Sequence, residues 1–489
     1  MIQTWSAVAG WLAAQADKVI ETSCARVFLV GDEAWKIKRP VRLPFLDFST
    51  RAKRRWALDR ELAFNRRWAS DIYNDVVAVR RASGSFSLTG EGETVEWLLR
   101  MRRFEQGAVL ANQALAIDGD LGERLGRVIA RLHAAAEEIP DGGGAATLSY
   151  TIATNEAALS AIRGRPAAVR RLILATRAAQ DAVADALDQR QADGFARCCH
   201  GDLHLGNILR EEDRLVPFDC IEFNDRLSRI DVLYDVAFTI MDLATRERRE
   251  AANRLLNAYL DEAARTFPPS LWTGLNLLPL FLSVRAAVRA HVTAATGDEA
   301  ASARYLEAAE GYLATTPPRL WAIGGLSGSG KTHLARALAP LVGGDVGAVF
   351  LRTDEIRKRL FGAAAAEPLA PSAYDQAADA RVYESLFATA GAVIAAGRTV
   401  ILDATFLAEK QRRGAAETAR RFGVPFSPLW LTGEPDLLRA RLAARGLDAS
   451  DATASVLERQ LALDLGDLSW PRVPTGEASV RLAARLASG

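Results

Sequence analysis

The sequence predicts a two-module chain, an α+β module followed by an α/β module, and three observations carry that expectation. Apolar stretches with period-two alternation crowd the first hundred residues, as half-buried strands do. An alanine-rich helical pattern begins near residue 105, is interrupted by two short strands flanking residues 198–207, and continues to Pro317 and Pro318. After the prolines an apolar strand, "RLWAIGG", runs into a glycine-rich turn and a helix. At 489 residues the chain is too long for one ordinary core. The modules are expected at 1–315 and 318–489, the second of ordinary domain size.

At the N-terminus, Trp5, Val8, Leu12 and Ala16 recur at helical spacing. Asp17, Lys18 and Glu21 follow, so an amphipathic helix is expected here and not a signal peptide. The pieces "RVFLV", "EAWKIK", "DVVAVRR" and "VEWLLRMRRF" read as strands of a small sheet-rich lobe, and a larger helical lobe follows. Between the strands lies the basic segment "STRAKRRWALDRELAFNRRWA", read as a helix with Trp56, Phe64 and Trp68 packed inward and its charges in water. A surface for phosphates or acids is its other reading.

Bulk composition narrows the function. Hydrophobic residues make up 49%, charged residues 25%, and the net charge is +1. That charge supplies no global basic field for gripping nucleic acid. Four cysteines (Cys24, Cys198, Cys199, Cys220) are too few and too clustered for a disulfide framework. No apolar run of about 20 residues stands out as a bilayer span. A cytoplasmic protein with no membrane partner is expected.

The densest chemistry is "CCHGDLHLGN", residues 198–207, followed by "ILREEDRLVPFDCIEFND". Cys198, Cys199, His200 and His204 are possible zinc ligands, but adjacent cysteines do not fit one tetrahedral ion comfortably and no CxxC pair accompanies them. The order of Asp202, Asn207 and then Asp219 after the apolar "LVPF" suits phosphoryl transfer better. Asp202 would orient an attacking hydroxyl or accept its proton, while Asn207 and Asp219 would hold magnesium through hard oxygen atoms.

"HGDLHLGN" followed by "FDCIEF" resembles the catalytic loop and metal-binding segment of the aminoglycoside phosphotransferases. The resemblance covers roughly residues 20–310 and implies a bilobal, protein-kinase-like fold, with Asp202 as base, Asn207 and Asp219 on magnesium, and His200 shaping the loop. It also implies a lysine reaching the ATP phosphates, held by a helix glutamate, for which Glu61 is the candidate. Alternation puts Lys36 and Lys38 on one strand face; Lys36 is preferred as the deeper in the apolar strand. "WLLRMRRF" would present backbone around Arg100–Arg102 to adenine. The glycine-rich loop that covers phosphates in that family is absent, and "ETSCAR" stands in its place, with small residues Thr22, Ser23 and Cys24. His133 is assigned to packing. Asp231 and Asp235 are expected to be structural, steadying the loop by hydrogen bonds.

The second module opens with Gly325-x4-Gly330-Lys331-Thr332, after a strand and before a helix. This is the P-loop pattern. Gly325, Gly328 and Gly330 let backbone N–H groups surround phosphate, Lys331 reaches the outer phosphates, and Thr332 offers a hydroxyl to magnesium. Further on, "DEIR" sets Asp354 and Arg357 on one helix face, a candidate base and an acceptor-fixing cation. Asp403 ends the strand of "RTVILDATF". Arg441 and Arg445, four apart, could close over the transferring phosphate. This module is similar to the small P-loop kinases that include polynucleotide 5′-kinase and gluconate kinase.

Together the modules resemble bacterial two-module proteins predicted to be fused kinases. The expected activity is ATP- and magnesium-dependent transfer of the γ-phosphate to hydroxyl acceptors at two sites, the acceptors being small molecules. The alternative is a polynucleotide 5′-hydroxyl kinase acting on nucleic acid ends, with the first module serving binding, regulation or protein phosphorylation. Acceptor identity, ATP against GTP preference and oligomeric state are not legible in the sequence.

Overall fold

The computed structural model describes residues 2–22, 24–43, 46–162, 164–344, 346–365, 367–444, 450–475 and 479–488. Two compact units are present. One comprises residues 1–116, 136–151 and 196–239, the other residues 117–135, 152–195 and 240–489.

In the first unit, six strands form an antiparallel sheet in the order Lys18–Glu21, Ala25–Val30, Glu33–Lys38, Glu93–Arg102, Tyr73–Ala82, Ser85–Ser87. Alternation divides its side chains as period two requires. One face carries Phe28, Ile37 and Leu98 against Trp5, Val8 and Leu12 of the Ile2–Ala13 helix. Ala16, expected on that helix, lies past its end, between the turn that closes the helix and the first strand. The opposite face carries Leu29, Ala34 and Leu99 against Leu58 of the Arg51–Ala69 helix and Leu209 and Val216 of the hairpin formed by Ile208–Glu211 and Arg214–Pro217. Lys36 and Lys38 share the face of Ala34, so both point at the helix and the hairpin.

The basic helix starts at Thr50, whose side chain accepts from the Lys53 N–H, and ends with Arg66 and Arg67 where the helix dipole favours cations. Arg54 is buried against Glu96, with Nη2–Oε2 at 2.5 Å, which pins the helix to the sheet. Trp56 is not packed inward as expected. It is 52% exposed, with the Arg60 guanidinium 4.8 Å from its ring centre. The helix already fills its inner face with Leu58, Glu61 and Asn65, leaving Trp56 on the wet side.

In the second unit, helices Gly119–Ala135 and Arg249–Ala263 lie unusually close. A Cβ at Gly122 would come 2.4 Å from the Ala251 carbonyl, and one at Gly126 2.3 Å from that of Leu255. The Ser270–Ala295 stretch corrects the expectation that no segment is apolar and long enough to span a membrane: it is both, and 78% of its apolar window is buried inside the protein. A helix ends at Tyr312, and the strand Leu320–Gly325 begins after the prolines. Five parallel strands follow in the order Val349–Arg352, Val400–Asp403, Leu320–Gly325, Phe426–Thr432, Arg472–Pro474. Ile323, Ile401 and Leu429 pack with Leu334 and Leu338 of the Lys331–Leu338 helix and Leu482 of the Ser479–Ser488 helix.

Candidate active sites

In the first unit the loop between Ala196–Cys198 and Ile208–Glu211 is held by its own His200 and by Asp235 of the Val232–Thr245 helix. Asp235 accepts from the N–H groups of His200 (3.0 Å) and Gly201 (2.9 Å). The Asp202 N–H donates to His200 Nδ1 at 3.3 Å, so Nε2 carries the proton and donates to the Phe218 carbonyl at 2.9 Å. Burial pushes the His200 imidazole down, against the nearby Asp235 and Asp202, in keeping with this neutral tautomer. His200 thus ties the loop to the segment entering Asp219. Asp231 accepts from the Leu233 N–H at 2.7 Å, a structural role like that of Asp235. His133 is fully buried beside Tyr259, its Nδ1 3.0 Å from the hydroxyl, a packing role.

Asn207 Nδ2 donates to both the carbonyl oxygen and Oδ2 of Asp202, each at 2.9 Å. This fixes the Asp202 carboxylate and leaves the amide oxygen as the ligating atom of Asn207. Asp219, in the left-handed region at φ 60°, donates its N–H to the Tyr73 hydroxyl at 3.0 Å. An amide oxygen and a carboxylate are the hard donors that magnesium takes, so Asn207 and Asp219 fit that ion.

Lys36 Nζ lies 2.6 Å from Glu61 Oε1 and 2.8 Å from Asp219 Oδ1. Burial alone would push this ammonium down; Asp219 and Glu61 outweigh it and hold Lys36 charged. Lys38 is bound as tightly, at 2.7 Å from Glu61 and 2.6 Å from Glu222. Contrary to the expectation from the sequence, Lys36 is not the deeper of the two: Lys38 is 3% exposed and Lys36 12%. What separates them is reach, since Lys36 alone of the two has an ion pair to Asp219. Glu222 was missed in the sequence; its one signal is its place three residues after Asp219. Where a glycine-rich loop was absent from the sequence, the Thr22 N–H donates to the Ala25 carbonyl at 2.9 Å between the paired strands Lys18–Glu21 and Ala25–Val30, while Ser23 lies outside the described residues.

In the second unit the P-loop bends from Leu320–Gly325 into the Lys331–Leu338 helix. Gly328 has φ 81°, and a Cβ there would meet the Leu438 carbonyl at 2.7 Å, so both backbone and space require glycine. Gly325 is equally confined, its Cβ position 2.7 Å from the Leu431 carbonyl, and Gly330 sits at φ 87°. Thr332 Oγ1 donates to Asp403 Oδ2 at 2.6 Å, and Lys331 Nζ donates to the Leu326 carbonyl at 2.9 Å. Hydroxyl and carboxylate oxygens on neighbouring elements again fit magnesium.

Gly328, Gly330, Lys331, Thr332 and Asp403 line a cleft of about 1240 Å³ that also holds Asp354, Arg357 and Arg441. A single-ligand pocket is ~300–1000 Å³, so this cleft has room for two substrates. Burial pushes the Asp354 carboxyl up; the Arg352 charge opposes that and Asp403 adds to it. Arg357 is already engaged: Nη2 lies 2.5 Å from Asp379, Nη1 donates to the Ala373 carbonyl at 2.6 Å, and the Tyr374 ring packs on the guanidinium. Arg441 Nη2 donates to the Thr475 carbonyl at 3.0 Å. Arg445 lies outside the described residues. Arg352, which no motif marked, is the further residue the structure brings to this site.

Two family models match the regions of the chain that contain these residues. The model of a family described as Phosphotransferase enzyme family matches residues 25–271, just over half the chain. The chain belongs to the phosphotransferase enzyme family. A second model, described as an AAA domain, matches residues 320–463 and takes in the P-loop. This phosphotransferase therefore carries two kinase-type domains and is an ATP-dependent kinase. It is 29% identical to an uncharacterized protein of Mycobacterium tuberculosis (strain ATCC 25618 / H37Rv), over 93% of each chain. Among solved structures it is similar to an ethanolamine kinase of Plasmodium vivax, at 10% identity and TM-score 0.40, covering 62% of this chain and 85% of that one. It is also similar to a gluconokinase of Sinorhizobium meliloti 1021, at 23% identity and TM-score 0.25, covering 36% and 96%.

Proposed function

We propose that this phosphotransferase has two magnesium-dependent sites, in modules 1–315 and 318–489, each moving the γ-phosphate of ATP to a hydroxyl of a small molecule. The observation that carries the reading is the joined set Glu61–Lys36–Asp219 beside Asp202–Asn207. In the first site Lys36, held by Glu61, contacts the nucleotide phosphates. Asp202 takes the acceptor proton as the hydroxyl oxygen bonds to the γ-phosphorus and the bond to the bridging oxygen of ADP breaks. Magnesium, when bound by Asn207 and Asp219, neutralises phosphate charge.

In the second site the loop 325–330 and Lys331 hold the phosphates, Thr332 is the magnesium ligand, Asp354 is the base, and Arg357 and Arg441 face the acceptor and the transferring group. Support for a small-molecule acceptor over a nucleic acid end comes from Arg357, whose guanidinium is taken up by Asp379 and the Ala373 carbonyl.

The test is transfer of labelled γ-phosphate to a mixed metabolite extract and, separately, to a 5′-hydroxyl oligonucleotide, by wild type, Asp202→Asn and Asp354→Asn. The reading expects small-molecule products, a distinct one lost with each substitution. Label confined to the oligonucleotide, and lost only with Asp354→Asn, would instead make the chain an end-processing kinase.

A further inference from the structure

Arg352 ends the Val349–Arg352 strand, one position before the helix that carries Asp354. It is 2% exposed and among the largest fully buried side chains. A buried guanidinium is costly unless carboxylates face it, and two do. Nη1 is 3.5 Å from Glu355 Oε1, and Nε is 3.5 Å from Asp403 Oδ2, the oxygen that accepts from Thr332. Its charge also acts on Asp354.

Behind this group stands a second layer. Glu355 Oε1 faces Arg127 Nη2 at 3.8 Å, and Arg127 is held by Asp261 at 3.1 Å and Glu123 at 3.3 Å. Arg359 also pairs with Asp261. Burial and the neighbouring Asp261 push the Glu355 carboxyl up to about 7, against Arg352 and Arg127.

We propose that Arg352 is a positioning residue of the P-loop site: held from behind by Glu355, its guanidinium fixes the carboxylate of Asp403, the partner of Thr332, for phosphoryl transfer. The assignment rests on the reading of that site given above. The guanidinium is buried outside the cleft lining, so it acts through Asp403 and not on the nucleotide. Positive charge at this point matters more than side-chain shape, and lysine should largely replace arginine.

The test uses the full chain carrying Asp202→Asn, with Mg·ATP hydrolysis by water as the reaction, at a pH well above the Glu355 value. Arg352→Met should lower kcat about tenfold or more with KM for ATP nearly unchanged, and Arg352→Lys should recover most of that loss. Glu355→Gln should lower kcat by a smaller factor, again with KM held. Wild-type kcat in Arg352→Met, or a lysine variant as slow as the methionine one, would overturn the assignment. Should Arg352→Met fail to fold, Glu355→Gln decides, and an unchanged kcat there overturns it. Lys331→Ala distinguishes failure of the P-loop site from failure of the role of Arg352. If it leaves hydrolysis untouched, the reading of the P-loop site itself fails; if it abolishes hydrolysis while Arg352→Met turns over normally, only the role of Arg352 fails.

Discussion

Lys36 Nζ donates to Asp219 Oδ1 at 2.8 Å, joining residues 183 positions apart in the sequence. The bond brings the candidate phosphate lysine to the candidate magnesium carboxylate, and Lys38, two residues on, takes Glu222 instead. The two lysines should therefore fail differently. Lys36→Met is expected to cut turnover at the first site about tenfold or more with little loss of stability. Lys38→Met strands the buried Glu222 carboxylate and should cost about 3–5 kcal/mol of stability. Denaturant unfolding beside steady-state kinetics checks both; equal stability losses would contradict the distinction.

Asp202→Asn keeps the shape of the loop but removes the proton acceptor. Transfer at the first site should fall about 100-fold or more while ATP affinity is retained. Product analysis with a direct nucleotide-binding measurement distinguishes this from a loop collapse, which would lose both.

The sequence announced these loops because their chemistry is local. "HGDLHLGN" places Asp202 and Asn207 five residues apart, and the P-loop is one strand-turn-helix unit, so spacing alone conveys the geometry. Period-two alternation likewise put Lys36 and Lys38 on one face. It could not rank their depth, because depth depends on how the Arg51–Ala69 helix covers the strand. Trp56 was misplaced for the same reason: an aromatic residue on a helix tells nothing of which face the sheet takes. Arg352 was invisible, since its partner Asp403 is brought to it by the parallel pairing of two strands that are distant in sequence.

Close helix packing in the second unit depends on Gly122 and Gly126. A Cβ at Gly126 would stand 2.3 Å from the Leu255 carbonyl, a backbone atom that cannot step aside. Gly126→Ala should destabilise the chain by about 1–3 kcal/mol, and Gly107→Ala, which meets open space, should not. Thermal unfolding of the two variants side by side is the check.

His291 provides a pH dependence of definite sign. Burial and the neighbouring Arg289 push its imidazole down from 6.5 to about 4, and Nε2 lies 3.2 Å from Asn155 Oδ1. The unfolded chain therefore binds a proton more readily than the folded one. The stability due to neutral His291 is complete above 6.5 and declines as pH falls from there towards about 4. His291→Gln should flatten that part of the stability profile. An unchanged slope between wild type and variant would show that His291 titrates normally in the fold.

The central claim is that one chain holds two nucleotide sites, and calorimetric titration with Mg·ATP addresses it most directly. Two binding events per chain are predicted, one abolished by Lys36→Met and the other by Lys331→Ala, with neither left in the double variant. A single event, lost with Lys331→Ala and unaffected by Lys36→Met, would contradict the account.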